Sequence, residues 1–407
     1  MNSEFTAKQL LSPEVIVNPY PYYDKLRDKK PQFGLMDFPP GTIPGADQPH
    51  PAWALMRYQD VTAAARNNEV FSSRDPMQEA STAPTLMLVN HDKPEHTRLR
   101  VIAQKAFTPK RVIEDVAPWA EKTIAEMFQR LSDVNLDFMD SFAVEIPARF
   151  MTRLIGTPEK DWQLLRNWGN AFMVTSDYTA AERKASNEAL AAYYMAQVNQ
   201  CYQDLAAGKT LPDNLMTALM RTEYEGETLT QEEVVRFCIT LVVAGAETTV
   251  YFLGNLLVTL IEQPELFKAL QEDRSLIRPF MDESLRRDGP VQRLFRVCTQ
   301  DIHLGGVDIK QGDWVALFFA SANRDPSVFE NPNEFILNRK NIKQHLTFGH
   351  GVHHCMGSVV ARMEADKFLN GILDHVAEIQ LTSEIKRQTG GLLNYGVEHL
   401  PVRFVLK

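Results

Sequence analysis

One stretch sets the scale of any fold this chain adopts. Thr230-Gln231-Glu232-Glu233 carries a capping-box signature, a hydroxyl and a carboxylate three residues apart that can each accept from the other's backbone N–H. The apolar pattern behind it runs through Leu260, and Pro264 stops it. That predicts a helix of about 33 residues, a rod of roughly 50 Å that crosses a whole domain. Its middle, Leu241-Val242-Val243-Ala244-Gly245-Ala246, is apolar on every side, which predicts burial. Most of 92–271 reads as helix. Up to about Asn68, short helical segments alternate with turns such as Pro39-Pro40-Gly41 and Pro44-Gly45. After Pro290 the texture changes. Residues 296–304 alternate, Gly305-Gly306 turns, and 307–319 and 392–405 read as further strand. A helix is expected from Met356 to about Val376. The fold class is therefore mainly α (α+β), helix-rich with small sheets.

Charge and cysteine usage narrow the function. Lys and Arg number 43 against 52 Asp and Glu, a net charge of −9, so no basic footprint for nucleic acid is expected. No uninterrupted apolar run approaches 18 residues, so no membrane span is expected. The first residues lack a signal-peptide pattern. Four cysteines, Cys201, Cys238, Cys298 and Cys355, stand far apart without a CxxC pair, which suits a reducing, cytoplasmic setting.

The most informative segment is Phe348-Gly349-His350-Gly351-Val352-His353-His354-Cys355-Met356-Gly357. It places one cysteine between a glycine-rich turn and a helix start, where free N–H groups and the helix dipole favour a thiolate. Glycines let a flat ligand approach the backbone. A thiolate held this way suits haem iron. Three other readings stay open on these residues alone: a dinucleotide loop (no glycine follows at the sixth position), a zinc site (paired ligands at finger spacing are missing), or a buried small residue.

The order Phe348, Gly349, Gly351, His353, Cys355, Gly357 resembles the haem-binding signature of the cytochrome P450 family, and Ala361-Arg362-Met363-Glu364 is similar to the following helix of bacterial members. Glu283-Ser284-Leu285-Arg286 resembles the family's ExxR helix, whose two ends share one face. Arg339 then implies the third member of a structural network. Ala244-Gly245-Ala246-Glu247-Thr248-Thr249 resembles the oxygen-activation motif. There the Thr248 hydroxyl can bond back to the Ala244 carbonyl and open the helix, leaving Glu247 and Thr248 to deliver protons. His96-Thr97-Arg98-Leu99-Arg100 resembles the helix that contacts the haem propionates. His96, Arg100, Arg296, His353 and His345 are implied contacts, whereas Arg98 also reads as a solvated charge. Asn323-Arg324-Asp325-Pro326 and Asn331-Pro332 complete the series. Length alone suggests two or three domains, but the motifs run from Asn18 to Val405 in one family order, so 1–407 is expected to form one haem-thiolate domain.

The resemblance implies haem b with Cys355 as axial ligand, and a monooxygenase that inserts one atom of O2 into a hydrophobic small molecule. Electrons would come from NAD(P)H through a separate ferredoxin and ferredoxin reductase. By position, the pocket is expected to include Leu86 and Leu88, Phe172 near Tyr178, Val243, Leu294, Leu393 and Asn394, with Asn394 a donor to a substrate oxygen; each apolar position also reads as plain core. Lys105, Lys110, Arg111 and Arg362 are expected to form a basic patch for an acidic ferredoxin. A peroxide-driven peroxygenase and a non-catalytic haem sensor or docking protein are the competing functions.

Overall fold

The computed structural model describes residues 5–36, 50–74, 86–108, 110, 112–131, 135–172 and 178–407. The helices that place the site are α1 (Glu95–Ala106), α2 (Glu145–Ile155), α3 (Ala180–Ala206), α4 (Gln231–Ala246), α5 (Thr248–Glu262), α6 (Ile277–Asp288) and α7 (Ser358–His375).

The long rod is present as α4 and α5, and it breaks at Glu247, whose φ of −122° and ψ of −39° leave the helical region. The capping box forms as expected. The Thr230 N–H donates to Glu233 Oε2 at 2.8 Å, and the Glu233 N–H donates to Thr230 Oγ1 at 3.2 Å. Arg98, on α1, also pairs with Glu233, so α1 is tied to the start of α4 rather than leaving Arg98 as a solvated charge.

Two apolar clusters wrap the rod. Phe237, Cys238 and Val242 pack with Phe150, Leu190 and Tyr194 around α4. Phe252, Leu253, Leu256 and Leu257 pack with Phe138, Phe142, Phe280 and Phe368 around α5. Burying one such side chain contributes about 1.5–3 kcal/mol, so this centre dominates the stability. The 32 residues Gln231–Glu262, with a mean hydropathy of 1.6 over the best window, are long and apolar enough to cross a membrane by length and composition. The expectation that nothing approached that length missed the tolerance for Thr, Gly and Asn along the rod. Most of that window is buried inside the molecule.

The main sheet consists of β1 (Gln32–Met36), β2 (Pro51–Leu55), β3 (Phe71–Ser72), β4 (Leu294–Cys298) and β5 (Trp314–Leu317), in the order β1-β2-β5-β4-β3. Arg296 is held opposite Val315 in the antiparallel β4–β5 pair. Gly305 and Gly306, with φ of 62° and 82°, turn a short hairpin, as their sequence suggests. A second sheet joins Asn135–Asp137, Pro401–Leu406 and Val376–Leu381. Two strand expectations shift. Phe319–Ala322 turns into a short helix, and 392–396 forms a loop that touches Val291 through one bridge. Pro39-Pro40-Gly41 and Pro44-Gly45 lie outside the described residues.

Candidate functional site

The cysteine loop is built by backbone closure. The Cys355 N–H donates to the Phe348 carbonyl at 2.8 Å. Gly349 and Gly351 sit at φ of 73° and 74°. A Cβ on Gly351 would meet the Ala65 carbonyl at 2.7 Å, so glycine lets the loop dock against the helix Tyr58–Arg66. α7 starts at Ser358, and the N–H groups of Gly357 and Ser358 reach the Cys355 sulfur. Burial pushes the thiol pKa up. Those two N–H groups, Arg100 and Arg362 pull it down.

Cys355 faces a cavity of about 490 Å³. Ala244, Gly245 and Thr248 line it from the rod, Phe348, Gly349, His353 and Gly357 from the cysteine loop, and Arg100 and Arg296 from α1 and β4. At one end of this cavity a basic cluster gathers. The His96 and His353 rings meet at a tilt of 48° with centroids 4.3 Å apart, and His353 Nε2 lies 3.0 Å from Ser73 Oγ, a partner without a sequence signature. His96 stands behind His353 rather than in the wall. Its Nε2 is buried without a partner among the described residues. Burial lowers the pKa to about 4 for His96 and about 3 for His353, and it lowers Arg296 to about 10. Arg100 donates to the His354 carbonyl at 2.6 Å and Arg296 to the Phe295 carbonyl at 2.6 Å. Among the described residues, no carboxylate pairs with either guanidinium. Buried cations without anions are costly. An apolar cavity with a thiol facing it and a cationic end without an ion-pair partner among the described residues fits a flat, metal-bearing ligand that carries carboxylates, which is haem.

At the break in the rod, Thr248 Oγ1 donates to the Ala244 carbonyl at 2.8 Å, as expected. Gly245 is required for packing too, since a Cβ there would lie 2.8 Å from the Met151 side chain. Glu247 is not in the cavity wall. Its Oε1 accepts from the Tyr251 hydroxyl at 3.0 Å and its Oε2 from the Asn394 amide. Asn394 is therefore corrected from a substrate donor to a partner of Glu247.

Glu283, Arg286 and Arg339 form the expected network. Arg286 binds both Glu283 oxygens at 2.8 Å, and Arg339 Nε binds both at 3.1 Å. Glu283 and Arg286 have no exposure. The remaining Arg286 protons go to the carbonyls of Asn323, Pro332 and Glu334. Thr347 Oγ1 donates to the Leu285 carbonyl at 2.6 Å and accepts from Asn323 at 2.9 Å, which ties the network to the residue before Phe348.

Other expectations are redistributed. Leu88, Leu294 and Leu393 line the cavity. Leu86, Phe172 and Val243 do not; they pack in the cluster around α4, and for Val243 the all-apolar helix offers no sign of which face meets a ligand. His345 is corrected from a propionate contact. It sits behind Phe348, with ring centroids 6.0 Å apart, and its Nε2 lies 3.3 Å from Arg362. Three of the four residues expected in a basic patch have partners within the chain. Arg362 pairs with Asp282 at 2.9 Å, Lys105 donates to the Glu223 carbonyl, and Lys110 sits 3.7 Å from Glu114. Arg111 lies outside the described residues.

Glu364 reaches the cavity and was not singled out as a site residue. It is 1% exposed, and one carboxyl oxygen has no partner among the described residues. The helical spacing of Val360, Glu364, Phe368 and Ile372 was the signal, an acid on an apolar face. Burial raises its pKa to about 8 from 4.5. The folded state thus keeps a proton that the unfolded chain releases, so this group's contribution to stability is lost as pH rises from 4.5 through about 8. Glu364→Gln is expected to match the parent near about pH 5 and to exceed it by on the order of a few kcal/mol near about pH 9. Urea titrations at both pH values measure this; parallel pH dependence in the two proteins would refute it.

The sequence model of the cytochrome P450 family matches residues 135–384. The chain is 33% identical to the biotin biosynthesis cytochrome P450 of Bacillus subtilis, over 98% of this chain and 99% of that one. It superposes on cytochrome P450 CYP109Q5 from Chondromyces apiculatus with a TM-score of 0.85 and 28% identity, covering 98% of both chains. P450BioI, solved with an acyl carrier protein bearing hexadec-9Z-enoic acid, gives a TM-score of 0.85 at 30% identity, over 97% of this chain and 99% of that one.

Proposed function

Because the chain belongs to the cytochrome P450 family and is a haem monooxygenase, we propose that Cys355 supplies the axial thiolate and that Thr248 and Glu247 serve proton delivery on the distal side, all within one haem domain spanning 1–407. Bound haem b supplies the reductive activation of dioxygen. The chain's residues do the rest. The observation that carries this reading is the single cavity that joins Cys355, the broken helix at Ala244 to Thr248, and a cationic end built from Arg100 and Arg296, with the neutral imidazole of His353 beside them and His96 behind it. That end accepts the propionates. The apolar wall excludes water and takes a hydrophobic substrate against Leu88, Leu294 and Leu393. Thr248 presents a hydroxyl that can pass a proton inward once its bond to Ala244 is exchanged.

The substrate class is a hydrophobic organic molecule, and hexadec-9-enoic acid is a reasonable first probe given the acyl group carried in the P450BioI complex. Electrons from NAD(P)H arrive through a ferredoxin and its reductase, in a cytoplasmic setting. The paired acid and alcohol favour use of dioxygen over a peroxide-driven cycle.

Thr248→Ala is expected to leave haem content and the substrate-induced spectral shift intact while diverting reducing equivalents to hydrogen peroxide. Loss of general acid–base assistance is typically worth about 10²-fold or more, so product per NAD(P)H should fall steeply. Product and peroxide are measured together during turnover of the probe. An unchanged product share removes Thr248 from the relay.

A further inference from the structure

Glu247, Tyr251 and Asn255 stand one helical turn apart and form a stripe along the break and α5. The same loop, 393–396, covers all three. The Asn394 amide donates to Glu247 Oε2. Gly396 leaves room for the Tyr251 ring, where a Cβ would lie 2.2 Å from the ring atoms. The Asn255 amide donates to the Tyr395 carbonyl at 3.1 Å. The loop is anchored from behind by the Tyr395 N–H to the Pro290 carbonyl at 2.7 Å and by the Gln292 N–H to the Leu393 carbonyl at 2.9 Å. In extended chain, neighbouring side chains point to opposite sides. Leu393 lines the cavity, and Asn394 turns away from it toward the acid. Asn394 is 2% exposed, so its amide is committed to a protein partner.

We propose that Asn394 and Tyr251 are positioning residues for Glu247. They hold its carboxylate with two neutral donors, one on each oxygen, beside Thr248 but outside the cavity wall. Hydrogen bonds from these neutral donors orient the carboxylate without themselves adding a countercharge. The same loop carries Leu393 in the substrate wall, so the hold is built into the element that meets substrate. This inference rests on the relay role assigned to Glu247 and Thr248.

The test uses Asn394→Leu and Tyr251→Phe, each removing one donor while keeping the branching or the ring of the side chain. The first readout is infrared spectroscopy of the substrate-free protein, with the Glu247 carboxylate band assigned by its loss in Glu247→Gln. Both variants are expected to shift that band, which a merely structural role would not do. The second readout is the peroxide share during turnover of hexadec-9-enoic acid. It is expected to rise roughly five-fold, the effect of one lost hydrogen bond on the population of the held state. An unmoved band, in either variant, overturns the hold. A moved band with the parent's peroxide share overturns its role in the reaction. Thr248→Ala run alongside separates the two claims: if it too keeps its product share, the relay reading fails, and the infrared result alone decides whether Asn394 and Tyr251 hold Glu247.

Discussion

Glu283→Ala is expected to leave almost no folded, haem-loaded protein. Glu283 is the one carboxylate between Arg286 and Arg339, and it also accepts from the Ile336 N–H at 2.9 Å. Removing one partner of a buried ion pair costs about 3–5 kcal/mol because the other charge stays buried and uncompensated. Here two guanidiniums are left, so the upper part of that range applies. A domain's total stability is only about 5–15 kcal/mol. The damage also travels, since Thr347 links this helix to the cysteine loop through the Leu285 carbonyl and Asn323. Soluble yield, haem absorbance per protein and the urea midpoint measure the effect. A variant with the parent's midpoint and haem content would show the network to be dispensable. Glu283→Gln is expected to lie between the two, because it keeps one acceptor oxygen but loses the charge and turns the other oxygen into a donor that faces the guanidiniums.

Cys355→Ala produces the second large effect, and it is of a different kind. The Cys355 side chain packs against a cavity, and the loop closes through its backbone N–H to Phe348, which alanine retains. The haem-free variant is therefore expected to differ from the parent by less than about 1 kcal/mol. Turnover should nevertheless fall below detection, because the thiolate's electron donation is what equips the iron for O–O cleavage. The pair of variants separates fold from chemistry: Glu283→Ala abolishes both, and Cys355→Ala abolishes only the second. Product formation by Cys355→Ala at the parent's rate would assign the ligand elsewhere; Cys238 and Cys298, each 1% exposed or less, sit outside the cavity wall.

What was legible in the sequence followed from short-range rules. The Thr230–Glu233 box, the Glu283–Arg286 pair and the Thr248-to-Ala244 bond all join residues three or four apart, where helical geometry leaves little choice. The cysteine loop was readable because Gly349 and Gly351 occupy positions that demand positive φ. Contacts across long separations were not readable. Asn394 meets Glu247 across 147 residues and Arg98 meets Glu233 across 135, and polar side chains carry no local mark of their distant partners. The split of apolar residues between pocket and core was hidden for a related reason. Leu393 and Val243 are chemically alike, and only packing decides that one faces the cavity and the other the core. His345 shows the same limit for a charged type. Behind Phe348 it meets Arg362 from α7, which is itself paired with Asp282 from α6.

A thiolate from Cys355 ligates the haem in the cavity under the broken helix. The carbon monoxide difference spectrum of the reduced, haem-loaded protein tests this, taken for the parent and for Cys355→Ala at equal haem content. The strongly red-shifted Soret band of thiolate-ligated haem is expected in the parent and its complete loss in the variant. A parent spectrum of the histidine-ligated type, or a red-shifted band that survives in Cys355→Ala, would contradict it.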